Sequence, residues 1–194
     1  RIKKYLLGEN NLYNEVNELL IKIKKIKIDF DAIYVLDNSG KCIVSTNPLF
    51  YNQNYSFRPY FKIASTGETY ISDIGVGVTT LQPGIFTSAP VYDKDKIVGI
   101  VVIKLDTAMI QEMVERAKIH GGTVFITDKR SIVFAHPDKK KLYTHTKKLT
   151  EQELDNIKST KQIPLKYMKK INNTGFPEDS IYDETHRYNV NIDG

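Results

Sequence analysis

Hydrophobic residues in the first 30 positions recur at spacings of three and four, with polar residues between them. That period places the apolar side chains on one face of a helix. The segment "IKIKKIKID" (21–29) also alternates with a period of two, as a short strand does, but the helical pattern is longer. We therefore predict one long amphipathic helix over residues 1–30. Its apolar face comprises Leu12, Val16, Leu19, Ile23, Ile26 and Phe30.

The pattern then changes to short β-rich segments. In "AIYVLDNSGKCIVSTNP" (32–48), two such segments flank a turn with Asp37 and Gly40, which is typical of a β-hairpin. "RPYFKIASTGE" (58–68) predicts a short helix, and "GIFTSAPVYDKDKIVGIVVIKLD" (84–106) predicts two more strands joined by a polar turn. Together these segments indicate a five-stranded antiparallel sheet.

A second series of elements follows. Asp106 or Thr107 is expected to cap a helix that ends at Gly121 and Gly122. "TVFITDKRSIVFAHPD" (123–138) then repeats the first hairpin in order: strand, aspartate turn, strand and closing proline. The copies are about 90 residues apart, and the second has a shorter turn by this alignment. We predict an α+β fold with two related modules and a boundary near Ile119 to Gly122.

The last third contains one further helix signal and an unfinished strand pattern. Thr150 and Glu153 have the spacing of a capping box, which predicts a helix start. The terminal "RYNVNIDG" reads as a strand followed by a hairpin turn at Asp193 and Gly194 with no return strand. We expect the sequence to be an excised or truncated piece in which the second module is incomplete.

Composition and charge narrow the function classes. With 41% hydrophobic and 26% charged residues, the chain has the composition of a soluble globular protein, and its single cysteine, Cys42, permits no internal disulfide. No apolar run approaches the roughly 18 residues of a membrane-spanning helix. The net charge of +5 arises from 28 basic against 23 acidic residues, and lysines cluster in runs such as 139–141. No recognition helix or aromatic RNA-binding motif accompanies them, so we predict solvated surfaces and no nucleic-acid partner.

Catalytic and metal-binding patterns are also absent from the sequence. It contains no GxSxG, HExxH or Walker-type motif. His136 precedes Pro137 at the end of the second hairpin, where a structural turn is a better interpretation than catalysis. His136 and His145 could ligate a metal, but no third ligand lies at a suitable spacing. We expect no enzyme, no metal and no cofactor.

The segment "YSFRPYFKIASTGETYISDIGVGVTTLQPGIFTSAPV" (55–91) favours ligand binding. Arg58 lies among aromatic residues, where a guanidinium can recognise a carboxylate through two parallel hydrogen bonds. Thr79 and Thr80 follow glycines and can offer hydroxyl and backbone N–H groups. Lys104 is a lone cation within "IVGIVVIKLD" (97–106). It either points outward into water or faces the same pocket as Arg58, in which case two cations would hold two carboxylates.

These features together resemble a known family. The N-terminal helix, the tandem modules, "FRPYF", the Gly/Thr-rich run into "SAPV" and "GIVVIKLD" resemble a double Cache sensor domain, built from two PAS-like modules with antiparallel sheets. The resemblance implies a membrane-distal ligand-binding module at residues 31–120 and a membrane-proximal module at 121–194. It also implies a ligand between the sheet and the segment after the first hairpin. The implied ligand-binding residues are Arg58, Tyr60, Thr79, Thr80 and Lys104.

The resemblance is greatest to the extracytoplasmic part of dicarboxylate-sensing histidine kinases. Amino-acid-binding relatives commonly have an aspartate at the position of Lys104, so a lysine there implies an acidic ligand such as a C4-dicarboxylate. The resemblance implies that this chain is the periplasmic part of an inner-membrane sensor histidine kinase that dimerises through its long helix. The alternatives are a chemoreceptor or diguanylate cyclase ectodomain for another small acid, and a structural spacer without a ligand.

Overall fold

The computed structural model describes residues 1–27, 29–117 and 122–171. The predicted boundary residue Ile119 and the terminal segment "RYNVNIDG" lie outside these residues. The helices are α1 (Ile2–Leu6), α2 (Tyr13–Ile26), α3 (Pro59–Ala64), α4 (Ala108–Arg116), α5 (Glu151–Thr160) and α6 (Met168–Ile171). The strands are β1 (Phe30–Leu36), β2 (Cys42–Ser45), β3 (Tyr70–Ile71), β4 (Gly75–Val76), β5 (Pro83–Asp93), β6 (Lys96–Asp106), β7 (Ile126–Thr127) and β8 (Val133–Ala135). Short 3-10 helices span Asn10–Leu12, Pro48–Phe50, Lys139–Lys141 and Leu165–Tyr167.

The N-terminal segment is helical, but the prediction of one continuous helix is wrong. Gly8 adopts φ +103°, a conformation that only glycine reaches at little cost, and it separates α1 from α2. The helical interpretation of residues 21–26 is confirmed. Helix α2 buries Val16 and Leu20 against one face of the sheet, where they contact Ile33 and Val35. No helix within the described residues is both long and apolar enough to cross a membrane.

Strands β1 to β6 form one antiparallel sheet. Its order is β2-β1-β6-β5-β3, and β4 also pairs with β5. The predicted hairpin β1–β2 and the long hairpin β5–β6 are confirmed, whereas the two-residue strand β4 adds a sixth strand to the five expected. One face packs on α2. The other face contacts α3 and the segment after the first hairpin through an apolar cluster that includes Tyr34, Tyr60 and Phe86.

The second hairpin, β7–β8, forms a separate two-stranded sheet and has the same turn geometry as the first. The backbone N–H of Asp37 donates to Lys41 O at 2.9 Å, and that of Asp128 donates to Ile132 O at 2.9 Å. The prediction of a shorter second turn is wrong, because these turns have equal length. The glycine of the first turn, at φ +82°, is replaced by Ser131 at φ +66°, so the usual glycine signal is absent from the second copy.

The closing prolines of the two hairpins do not correspond. Pro48 opens a 3-10 helix after Asn47, whose side chain accepts from Leu49 N. The matching cap in the second copy is Asp138, which accepts from Lys140 N and comes after Pro137. The correspondence therefore rests on the capping side chains and the turn aspartates.

The predicted helix starts are largely confirmed. Thr150 and Glu153 form a complete capping box at the start of α5. At α4, the Asp106 carboxylate accepts from Ala108 N at 2.9 Å, while Thr107 makes no side-chain capping bond. Helix α4 ends at Arg116, ahead of the predicted glycines, and Gly121 lies outside the described residues.

The two halves of the chain share packing at β4. The backbone N–H of Val76 donates to Gln162 O at 2.8 Å, just after α5. Its side chain is buried in the apolar cluster of the second half, together with Ile132, Ile157 and Ile163. This contact brings the end of α5 beside the sheet face that holds the aromatic cluster.

Candidate functional site

Arg58 is held at the start of α3 by local sequence. Pro59 occupies the first helical turn, where its fixed φ suits a helix, and it keeps the preceding residue extended at φ −77° and ψ 140°. The Arg58 residue is only 3% exposed. Its guanidinium carbon lies 5.5 Å from the ring centroid of Tyr60 and 5.2 Å from that of Phe86. The expected aromatic setting is therefore present, although the sequence did not indicate Phe86.

The hydrogen-bond partners of Arg58 come from the end of α5. Its Nη1 donates to Lys161 O at 2.7 Å and lies 3.4 Å from Thr160 O. The last carbonyls of a helix lack intrahelical partners and carry the negative end of the helix dipole. A buried cation is thus satisfied by neutral oxygen atoms. Within the described residues, no carboxylate forms an ion pair with Arg58.

Tyr60 forms a rigid wall beside the guanidinium. Its ring stacks on Phe86 with centroids 5.3 Å apart, and its hydroxyl accepts from Tyr34 OH at 2.9 Å. Its backbone oxygen accepts from Ser88 Oγ at 2.7 Å. Burial raises the pKa of Tyr60, so its hydroxyl stays neutral at ordinary pH. Tyr60 can therefore offer a polar but uncharged contact.

The two threonines lie in the loop between β4 and β5 and bond to different groups. Thr79 Oγ1 is 2.7 Å from Tyr55 OH, and burial raises the pKa of that tyrosine to about 12. Thr80 Oγ1 accepts from Lys104 Nζ at 3.2 Å. Of the two, Thr80 is thus the one that the structure brings to a predicted cation.

Lys104 lies on the same sheet face as the aromatic cluster. In the antiparallel register it is opposite Phe86 on β5 and Ala32 on β1, both of which belong to that cluster. The side chain is 0% exposed, which excludes the outward orientation into water. Gly84 makes room for it, because a Cβ at that position would lie 2.7 Å from Lys104 Cε.

The sequence analysis missed the principal partner of Lys104, the carboxylate of Asp31, which bonds to Nζ. The β1–β6 register shifts between Phe30 and Ala32, so Asp31 is an extra residue in the strand. Such a bulge changes the direction of a side chain, and here it aims the carboxylate at Lys104. The only sequence signal for this partner was the single acidic residue in the apolar strand "FDAIYVL" (30–36).

The space beside Arg58 is small. A crevice lined by Arg58, Tyr60, Phe86, Gly75 and Gln162 has a volume of about 10 Å³, which corresponds to about one water molecule. It shares Pro59, Tyr70, Asp73 and Gln162 with an open cleft of about 560 Å³. The crevice therefore adjoins a cleft through which a small molecule could approach.

The histidines have a different setting. Nδ1 of His136 accepts from Asp138 N at 2.8 Å, in keeping with the structural-turn interpretation. Residue His145 is buried, and burial lowers its pKa. No group of three or more His, Cys, Asp or Glu side chains suited to a metal ion occurs in residues 1–27, 29–117 and 122–171.

Comparisons with known proteins show a family and individual proteins that this chain resembles. The profile of the Cache domain family matches residues 8–187. The C4-dicarboxylate transport sensor protein DctB of Pseudomonas aeruginosa is 29% identical over 110 residues, covering 55% of this chain and 18% of that protein.

Two solved domains have a similar fold. The sensor domain of the V. cholerae histidine kinase DctB gives a TM-score of 0.69 at 23% identity, over 83% of this chain and 63% of that one. The ligand-binding domain of the Campylobacter jejuni chemoreceptor Tlp3, in complex with 4-methylisoleucine, gives a TM-score of 0.53 at 20% identity, over 72% and 56%. The chain thus spans less than two thirds of either solved domain and a much smaller part of the Pseudomonas protein.

Proposed function

Because this chain belongs to the Cache domain family, we propose that it is the ligand-binding sensor domain of a bacterial transmembrane receptor, with a small carboxylate bound at Arg58. The observation that carries the proposal is the buried guanidinium of Arg58, which lies beside two stacked aromatic rings and whose hydrogen-bond acceptors are neutral carbonyls. A carboxylate would add charge compensation to hydrogen bonds that the geometry already supports. The present bonds already have an ionised donor, and a carboxylate would supply an ionised acceptor as well.

The proposed ligand is a C4-dicarboxylate. One relative is named as a C4-dicarboxylate sensor, and a second cation, Lys104, lies on the same sheet face as the aromatic cluster. A lysine has three N–H donors, of which Asp31 and Thr80 accept two, so one remains for a ligand oxygen. In this arrangement Tyr60 forms the wall of the site, and Thr79 and Thr80 offer hydroxyls.

The proposed receptor architecture follows the relatives. Two PAS-like modules in tandem, a membrane-distal one at 31–120 and a membrane-proximal one at 121–194, would account for the repeated hairpin geometry. Similarity to the DctB sensors supports a periplasmic location and a sensor histidine kinase as parent. We further propose that segments outside this sequence attach it to the inner membrane and that the N-terminal helices pair in a homodimer.

Two other functions have an observation in their favour. The fold similarity to Tlp3 supports a receptor with another output, such as a chemoreceptor. The small crevice and the internal partners of both cations support a spacer module that binds nothing.

Calorimetry with succinate and propionate tests the proposal. Removing a desolvated charge partner costs about 2 to 5 kcal/mol, so Arg58→Ala should weaken binding by about 30-fold or more. Arg116→Ala is the control, because it removes the same charge from an exposed position on α4. Unchanged affinity in folded Arg58→Ala would eliminate Arg58 as the anchor, and no binding by the wild type would favour the spacer.

A further inference from the structure

The contact between Arg58 and α5 joins parts of the chain more than 100 residues apart: Arg58 and Lys161 are separated by 103 positions. Nη1 of Arg58 already donates to the Lys161 carbonyl, so a ligand carboxylate that bonds through Nη1 must displace that carbonyl. The carbonyl and the ligand are therefore competitors for this nitrogen.

The space at the site supports the same competition. The crevice beside Arg58 holds about 10 Å³, whereas a three- or four-carbon acid is several times the size of the single water that such a volume admits. Gln162 forms part of its wall, and its Cγ would be only 3.0 Å from a Cβ at Gly75. Movement of the segment 160–162 away from the sheet would remove this part of the wall and make room for a ligand.

The segment 160–162 makes only a few contacts of its own, although Ile157 and Ile163 on either side of it are buried in the apolar cluster with Val76. Val76 N–H donates to Gln162 O at 2.8 Å, and the Lys161 ammonium lies 4.6 Å from the ring centroid of Phe57. Lys161 itself adopts the left-handed conformation at φ +49°, which is unfavourable for a residue with a Cβ. These contacts hold the segment in place in the absence of ligand, and they are few enough for a bound carboxylate to replace them.

We propose that residues 160–162, the last residue of α5 and the two that follow it, form a latch, a displaceable segment that occupies the Arg58 site in the absence of ligand. This inference rests on the proposed carboxylate binding at Arg58. Binding of the acid and withdrawal of residues 160–162 are then one event, so the ligand favours the arrangement in which the Arg58–Lys161 and Val76–Gln162 hydrogen bonds are broken. A ligand shifts such an equilibrium by its differential affinity for the two arrangements.

The first test opens the site without touching Arg58. In Lys161→Pro the ring fixes φ near −65°, so the carbonyl of residue 161 cannot occupy its present position. The ligand-free arrangement then loses the charge-assisted hydrogen bond between Arg58 and the carbonyl of residue 161. Succinate and propionate should therefore bind about ten-fold more tightly. Lys94→Pro is the matched control, because Lys94 is also an exposed left-handed lysine, at φ +53° in the β5–β6 turn. It should leave affinity unchanged.

The second test follows the latch in the wild-type protein, so it does not depend on whether a variant folds. Saturating succinate should accelerate hydrogen exchange at the Val76 amide and in the last turn of α5, while slowing exchange in β5 and β6. Binding with unchanged or greater protection at Val76, or equal affinities for wild type and folded Lys161→Pro, would overturn the latch but leave carboxylate binding intact. If neither acid binds the wild type or Lys161→Pro, both proposals fail. Binding by Lys161→Pro alone would support the latch.

Discussion

Arg58 and Lys104 are two buried cations on the same sheet face, and they differ in what neutralises them. Phe86 connects them: its ring lies 5.2 Å from the Arg58 guanidinium, and its backbone pairs with Lys104. The acceptors of Arg58 are carbonyls at a helix end, whereas Lys104 is bonded to the carboxylate of Asp31. One charge remains uncompensated within the described residues, and the other forms an internal ion pair.

This difference is the basis for the binding role that we propose for Arg58 and the structural role that we propose for the Asp31–Lys104 pair. A buried cation without a counter-ion is costly, and an incoming anion removes that cost. A buried pair with good geometry is already satisfied, and removal of one partner leaves the other uncompensated. We therefore expect Arg58 to dominate affinity and the Asp31–Lys104 pair to dominate stability and ligand charge preference.

The largest expected effect is on stability. Asp31→Ala should lower the free energy of unfolding by about 3 to 5 kcal/mol, because it leaves Lys104 buried without a counter-ion. Lys104→Met should cost much less, since it fills the same space without a charge and leaves Asp31, whose side chain is 32% exposed, in contact with water. Urea unfolding of both variants measures the asymmetry. Equal losses would show that the pair does not behave as a buried ion pair.

A smaller stability effect is expected at Arg58. Arg58→Ala removes one strong hydrogen bond to Lys161 O and the contacts with two rings, but no carboxylate is left unpaired. The loss of unfolding free energy should be about 1.5 to 3 kcal/mol, below that of Asp31→Ala in the same urea experiment. A larger loss than that of Asp31→Ala would reverse the roles assigned to the two cations.

The next effect is on the preference for a dicarboxylate over a monocarboxylate. In Asp31→Asn the amide can still accept from Lys104, but the negative charge that would oppose a second ligand carboxylate is gone. Succinate should gain about ten-fold in affinity relative to propionate. The ratio of the two affinities, measured by calorimetry, is insensitive to a general loss of folded protein. An unchanged ratio would place Lys104 outside the ligand site.

The smallest effect concerns pH. Burial lowers the pKa of His145 in the folded state. As the pH falls, His145 is therefore protonated in the unfolded state, near pH 6.5, before it is protonated in the folded state. The contribution of neutral His145 to the free energy of unfolding is fully present above that pH. It decreases as the pH falls further, until the pH is below the folded-state pKa. The wild-type unfolding temperature should therefore fall between pH 7 and pH 5 more steeply than that of His145→Gln.

Parallel pH curves for the wild type and His145→Gln would show that His145 does not titrate differently in the folded state.

Local sequence was sufficient where the cause is local. Pro59 after Arg58 predicts the helix start that presents the guanidinium, and the Thr150–Glu153 spacing predicts the start of α5. Alternation within "IVGIVVIKLD" left two orientations open for Lys104, since a strand pattern does not say which face is covered. The broken N-terminal helix had a visible signal in Gly8, which the longer apolar period concealed.

Strand register was decided by two irregularities that residue patterns do not show. An uninterrupted hairpin from Asp93 and Lys96 would place Ile85 opposite Lys104, but a shift between Val91 and Tyr92 places Phe86 there. The bulge at Asp31 likewise turns an acidic side chain toward the core face. A shift of one residue exchanges the two faces of a strand, so these irregularities determine which side chains meet.

The sequence by itself determined the α+β elements, the repeated aspartate turns and an arginine set among aromatic residues, because each depends on neighbours within a few positions. Only the tertiary structure decided that Arg58 meets the end of α5 and that Lys104 meets Asp31. Both contacts join residues more than 70 positions apart. They exist because strand register and helix packing bring those groups together, and that arrangement depends on the energy of the whole fold.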